Sequence, residues 1–133
     1  MKERKLNNKG FSLVELIIVI AIMVILVVVI APQYTRFVNN SRISADVQTA
    51  QTMATAIDAA VADGKTPFTS GFGVVTGMEN TLPTTKLSGG TFAISGNDTE
   101  GVSQVTIKIG SDVYECYPNP DNTTNGVNAK LKK

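Results

Sequence analysis

The chain has no histidine, no tryptophan and one cysteine, Cys116, in 133 residues. Without histidine it lacks the commonest general base and the commonest metal ligand. No Ser-His or Cys-His nucleophile pair can form, and no Cys/His spacing suits a metal. A lone cysteine excludes an intrachain disulfide, so any folded part must hold by its core and sheet alone. Cys116 lies between Tyr114 and Tyr117 in an apolar stretch, where a small buried hydrophobe is expected rather than a reactive thiol. The acids beyond the N-terminal third are Asp46, Asp58, Asp63, Glu79, Asp98, Glu100, Asp112, Glu115 and Asp121. They form no recognisable catalytic constellation. Asp112 and Asp121 are too far apart in sequence to argue for a cation site. The net charge of +1 comes largely from the N-terminus and from Lys130, Lys132 and Lys133. No basic stripe suggests nucleic-acid binding. The expectation is a protein that is not an enzyme and has no cofactor and no metal.

What the chain does have is one long apolar run. From Leu16 to Ala31, sixteen residues pass without a polar side chain. Counted from Phe11, the span is 21 residues, or roughly 31 Å as a helix. That matches a hydrocarbon core of about 30 Å. One carboxylate, Glu15, stands at its front edge. A charge there is costly without a partner and is by default a functional residue. Glu15 also lies in the first helical turn, where a negative charge gains about 0.3–1 kcal/mol from the helix dipole.

Before the run come Lys2, Arg4, Lys5 and Lys9 against Glu3, a net charge of about +3 that holds this end in the cytoplasm. An ordinary secretory signal would have an apolar region of about 7–15 residues and an A-x-A-like cleavage site. Here the run is longer and ends at Ala31-Pro32-Gln33. A plain single-pass anchor accounts for Leu16 to Ala31, but not for Gly10-Phe11 or Glu15.

Residues 9 to 15, Lys9-Gly10-Phe11-Ser12-Leu13-Val14-Glu15, with the basic leader and the apolar run, resemble the class III signal of type IV pilins and pseudopilins. The resemblance implies cleavage between Gly10 and Phe11 by a prepilin peptidase and N-methylation of Phe11. It implies subunit assembly through Phe11 and Glu15, the Glu15 carboxylate meeting the Phe11 amine of a neighbouring subunit. It implies a helix kink at Pro32. Many relatives carry a glycine within the apolar half that helps it melt on assembly, but this chain has none between Phe11 and Pro32. Many also close a C-terminal loop with a cysteine pair, which this chain cannot do. The partners implied are further copies in a helical homopolymer, the prepilin peptidase, the assembly platform and its ATPases, and the membrane before assembly. Host or cell surfaces could follow, and nucleic acid only for a DNA-uptake pilus. The function implied is that of a structural subunit, a major pilin of a fibre for adhesion, motility or DNA uptake. A pseudopilin of a secretion or competence system would share the same N-terminus. A tethered binding module that never polymerises would have no use for Glu15.

The expected organisation is a cleaved leader 1–10, a transmembrane and assembly helix 11–32 and an exported part 33–133. The fold class is α+β, a long N-terminal helix packed on a small antiparallel sheet of about three strands. Over 33–63, Ile43, Val47, Ala50, Ala54, Ile57 and Val61 step at helical spacing, with Met53 widening the stripe. Arg42, Asp46, Gln48, Thr49, Thr52 and Thr55 fall on the opposite face, and Gly64 is a C′ residue. Loop residues fill 64–88, with a short helix near Gly77 to Leu82. Alternating runs at Thr91–Ser95, Val102–Ile109 and Val113–Tyr117 predict a meander over 89–117. The polar tail 118–133 is expected as surface loop or disorder.

Overall fold

The structure, a computed structural model, describes residues 10–75, 78 and 82–132. Residues 1–9 of the leader, and most of the short helix expected near Gly77 to Leu82, lie outside the described residues. The chain divides into two units, one ending at Thr35 and one beginning at Arg36.

Helix α1 runs Leu13–Ala62, with Pro32 inside it. Every residue from Gly10 to Phe37 is exposed, so the first half of α1 buries nothing against its own chain. A run this rich in Val and Ile is a modest helix former in water. In lipid, however, a helix is the one way for a single segment to satisfy its own backbone. Pro32 has no N–H to give to the carbonyl four residues back. Just beyond it, the Thr35 hydroxyl donates to the Ala31 carbonyl at 3.1 Å.

In the second unit the stripe does what its spacing predicts. Ile43, Val47, Ala50, Met53, Ala54 and Ile57 are buried. Ala60 is buried too, while Val61 is only half-buried. One expectation fails here. Asp46, placed on the outer face by its polarity, is 1% exposed and belongs to the buried face. The helix ends as foreseen at Gly64, at φ 78°. Lys65 N–H donates to the Ala60 carbonyl at 2.9 Å and Gly64 N–H to Val61 at 2.9 Å. That pair of bonds is a Schellman cap, which suits a residue without Cβ.

The sheet is a three-stranded antiparallel meander of β1 Gly90–Asn97, β2 Gly101–Ile109 and β3 Asp112–Tyr117, in that order. The fold class is therefore the α+β arrangement expected, with each strand one to three residues longer than its alternation suggested. Phe92 pairs with Ile107 and Ile94 with Val105, so one face is apolar. Phe92, Val105, Ile107 and Cys116 from that face form one core with Ile43 to Ala54 of α1. A smaller cluster joins Ile57 and Ala60 to Val75, with Phe68, Phe72, Ile94 and Val102 packed on it.

Two regions expected as loop are more structured. Within 64–88 there is a short helix α2, Pro67–Ser70, and a 3₁₀ turn, Phe72–Val74. The tail is not a loose end, and that expectation is corrected. Glu115 N–H donates to the Asn125 carbonyl at 2.8 Å, and Glu115 bridges Gly126 in parallel. Helix α3, Val127–Leu131, follows, and Val127 is fully buried in the main core. Val127 and Leu131, which packs on the same core, are a single helical pair of large apolar residues in a polar stretch, too little for a periodic signal.

Candidate assembly site

Gly10 is exposed, and a Cβ placed on it would meet nothing within 4 Å. Among the described residues no contact therefore calls for glycine at this position. Phe11 follows, 91% exposed, so the bond between them is accessible. Ser12 and Glu15 then make a reciprocal pair. Ser12 N–H donates to Glu15 Oε2 at 2.8 Å, and Glu15 N–H donates to Ser12 Oγ at 3.2 Å. The Leu16 N–H closes the first helical bond on the Ser12 carbonyl at 3.2 Å. This is a capping box, in which two orphan donors at the helix start are satisfied together. Its signature, Ser-x-x-Glu ahead of an apolar run, stands in the sequence, and the motif around Gly10 and Phe11 drew attention away from it.

The capping box fixes what the carboxylate can do. Oε2 is engaged by Ser12, and among the described residues no hydrogen bond engages Oε1. Glu15 thus holds its own helix start while keeping an acceptor for a second donor. Gly10 and Phe11 stand just before α1 and Glu15 lies in its first turn, whereas Pro32 is separate from them along α1.

In the second unit a further set of carboxylates does structural work. Asp46 accepts Lys86 N–H at 2.6 Å and Leu87 N–H at 3.0 Å. Asp58 accepts Val102 N–H at 2.7 Å. Asp98 accepts Phe68 N–H at 2.7 Å, Thr69 N–H at 3.0 Å and the Thr69 hydroxyl. Glu115 accepts Asn119 N–H at 3.3 Å and Asn122 Nδ2 at 3.1 Å. Asp46 and Glu115 clasp loop segments to the helix and the sheet, Asp58 ties β2 to α1, and Asp98 ties α2 to the turn after β1. A buried carboxylate is tolerable only with such donors, and bonds to a charged acceptor are about twice as strong as neutral ones. For Asp98 desolvation acts upward, but the Thr69 hydroxyl and the Phe68 and Thr69 N–H groups together prevail and hold its carboxyl below the usual range. Cys116 is free and buried. Burial, reinforced by the Asp46 and Glu115 carboxylates, pushes its thiol up to about 12. The inert thiol expected of an apolar strand is what the structure holds.

Sequence reasoning missed the three aspartate clasps because their partners are 29 to 44 residues away in sequence, and that of Glu115, four and seven residues from its partners, because a polar tail gives no sign of closing on a strand. Among the described residues no group of three His, Cys, Asp or Glu side chains could hold a metal ion. Asp121 accepts Asn128 Nδ2 at 2.9 Å, and Asp112 is exposed at the start of β3.

The family model described as the prokaryotic N-terminal methylation motif matches residues 5–31. The type IV major alpha-pilin of Moraxella bovis is 30% identical over a 135-residue alignment, which covers 90% of this chain and 82% of that protein. The chain belongs to the type IV pilin family. A pilin is a structural subunit, and none of the relatives' names is that of an enzyme. The type IV major fimbrial protein of Dichelobacter nodosus is 44% identical over 58 residues, 44% of this pilin and 37% of that protein. A fimbrial protein of Pseudomonas aeruginosa is 37% identical over 58 residues, 38% of its length. Those two alignments cover less than half of either chain. No solved structure matches the pilin.

Proposed function

We propose that this pilin is the major subunit of a type IV pilus, made as a membrane-anchored precursor and polymerised through the first half of α1. The observation that carries the reading is an apolar half-helix with nothing of its own chain covering it, headed by one carboxylate in a capping box. In this reading the leader 1–10 is removed by a prepilin peptidase between Gly10 and Phe11, and Phe11 is N-methylated. Gly10 is glycine for the peptidase's sake, since its own surroundings are open. The segment 11–32 spans the cytoplasmic membrane with its N-terminus inside, and 33–133 lies outside. The assembly platform and its ATPases move the subunit into the fibre, where Glu15 Oε1 accepts the Phe11 amine of a neighbour. Such a pair does not guarantee affinity, because desolvation opposes attraction. Its role is register, since a misplaced subunit leaves the carboxylate unpaired. Lipid is as apolar as the facing helices, so packing contributes more than hydrophobic burial. Pro32 is the point at which the helix bends. The fibre serves adhesion, twitching motility or DNA uptake, and it meets cell surfaces or nucleic acid accordingly.

Intact-mass spectrometry of fibres sheared from producing cells tests this. The expected dominant species begins at Phe11 and carries one extra methyl group. Processed protein confined to the membrane fraction would transfer the pilin to a pseudopilin or minor-subunit role. Glu15→Ala is expected to cut fibre yield at least tenfold while leaving membrane-fraction pilin at its normal level. Unchanged yield would remove Glu15 from the mechanism.

A further inference from the structure

Around Phe37 the second unit presents a surface that none of the preceding roles uses. Phe37 is 70% exposed. It heads a ridge, Phe37–Ser41–Ala45, with a groove on each side. One groove is lined by Phe37, Asn40, Ser44 and Lys132 among others, and the second by Val38, Arg42, Thr85 and Lys86. Arg36 lies one turn before Asn40, on the side of the first groove. Arg36, Arg42, Lys86 and Lys132 are all exposed, and Lys130 is exposed in the last turn of α3. Among the described residues no acidic side chain lines either groove. Asp46, on the same stretch of α1, is buried and spent on the Lys86 and Leu87 N–H groups. Among the described residues, then, no carboxylate lining these grooves answers the cations.

Chain length says where this surface meets its partner. Arg36 is five residues after Ala31, the last residue of the apolar run. Five residues reach no more than about 18 Å fully extended and about 8 Å as helix. If Ala31 ends the membrane span, Arg36 and Phe37, which continue helix α1, stand about 8–9 Å beyond it, at headgroup depth. An exposed aromatic ring among cations fits that zone. The ring enters the headgroup boundary, and the guanidinium and ammonium groups meet phosphate.

We infer that the Phe37 ridge, with Arg36, Arg42, Lys86 and Lys132, is a seat for anionic phospholipid headgroups on the outer leaflet before assembly. The inference rests on the proposed membrane-anchored stage. The seat holds the exported unit close to the bilayer. Extraction into a fibre then has to break those ionic contacts, so the anionic lipid content of the membrane sets how readily subunits leave.

The test uses the full chain in nanodiscs at one copy per disc. One set is made of phosphatidylcholine and a second includes about 30% phosphatidylglycerol. The probe is a water-soluble acetylating ester, read lysine by lysine by mass spectrometry. In low salt, Lys86 and Lys132 are expected to react at least ~3-fold more slowly in the anionic discs, while exposed Lys65 and Lys108 keep their rates. Salt at about 0.5 M removes the difference. The double variant Phe37→Ser, Arg42→Gln, altered only at exposed positions, loses the protection at Lys86. Equal rates in the two sets of discs overturn the inference. Protection seen only in discs holding two chains also overturns it, and makes a second copy the partner. A chain that enters neither disc overturns the anchoring reading itself, and this inference with it.

Discussion

Asp46 and Asp58 stand on the same helix and differ in what they answer for. Asp46 is buried and satisfies two N–H groups, whereas Asp58 is half-buried and satisfies one. Hydrogen bonds to charged groups are worth about 1.5–3 kcal/mol, and an orphaned buried donor costs its own desolvation besides. Asp46→Ala is therefore expected to destabilise the second unit by about 3 kcal/mol. Asp58→Ala is expected to cost about half of that. Urea unfolding of the full chain in detergent, followed by circular dichroism, orders the two. Equal losses would mean that burial does not govern the clasps. Cys116 makes a prediction about pH. Its thiol is pushed from 9.0 to about 12 in the fold, so well below pH 9 it is mostly neutral in either state, with only the unfolded chain holding a reactive thiolate fraction. Above pH 9 the unfolded chain ionises first, and stability falls as pH rises toward 12. Iodoacetamide at pH 8 should label Cys116 only after urea is added, whereas rapid labelling of the native chain would mean that the strand opens locally.

At the level of elements, two glycines test two different constraints. Gly64 needs only its left-handed backbone, because a Cβ there meets nothing within 4 Å. Gly64→Ala should therefore cost about 1–2 kcal/mol. Gly101, at φ 86°, carries the same backbone demand, and its Cβ would also run into the Asp58 carboxylate. Gly101→Ala is expected to cost clearly more, because it dislodges the Asp58 clasp on Val102. Thermal unfolding of the two variants decides this, and equal costs would rule out the steric part. The same elements show what the sequence could disclose. Helix stripe, meander and Gly64 cap are local patterns, repeating within a few residues, and they were legible. Ser12 and Glu15 were legible as a box but were read only as a charge at a helix start. Asp46 was not legible, because a periodic pattern sorts residues by polarity and cannot show that distant N–H groups will receive a carboxylate on the inner face. Val127 escaped for a related reason, since its burial depends on Glu115 and Asn125 meeting first.

For the whole molecule, the tail is the decisive case. A chain stopped after Asn119 loses Val127 from the core and leaves the Glu115 N–H without its acceptor. It is expected to be degraded or recovered unfolded. The single change Val127→Ala should cost about 2 kcal/mol and still fold. Normal accumulation of the truncated pilin, with native circular dichroism, would return the tail to the role of a loose end. The first unit is organised differently, since it depends on lipid or on other copies to cover it and has no core to lose. The closure of the C-terminal loop by Glu115, Asn119, Asn122 and Asn125 has a further consequence. Every bond that shuts this loop is made by a proton shared between nitrogen and oxygen, and none by transfer of electrons. Folding of the second unit therefore consumes no oxidant, and the subunit is expected to reach its final form equally well in an anoxic, thiol-rich setting and in air.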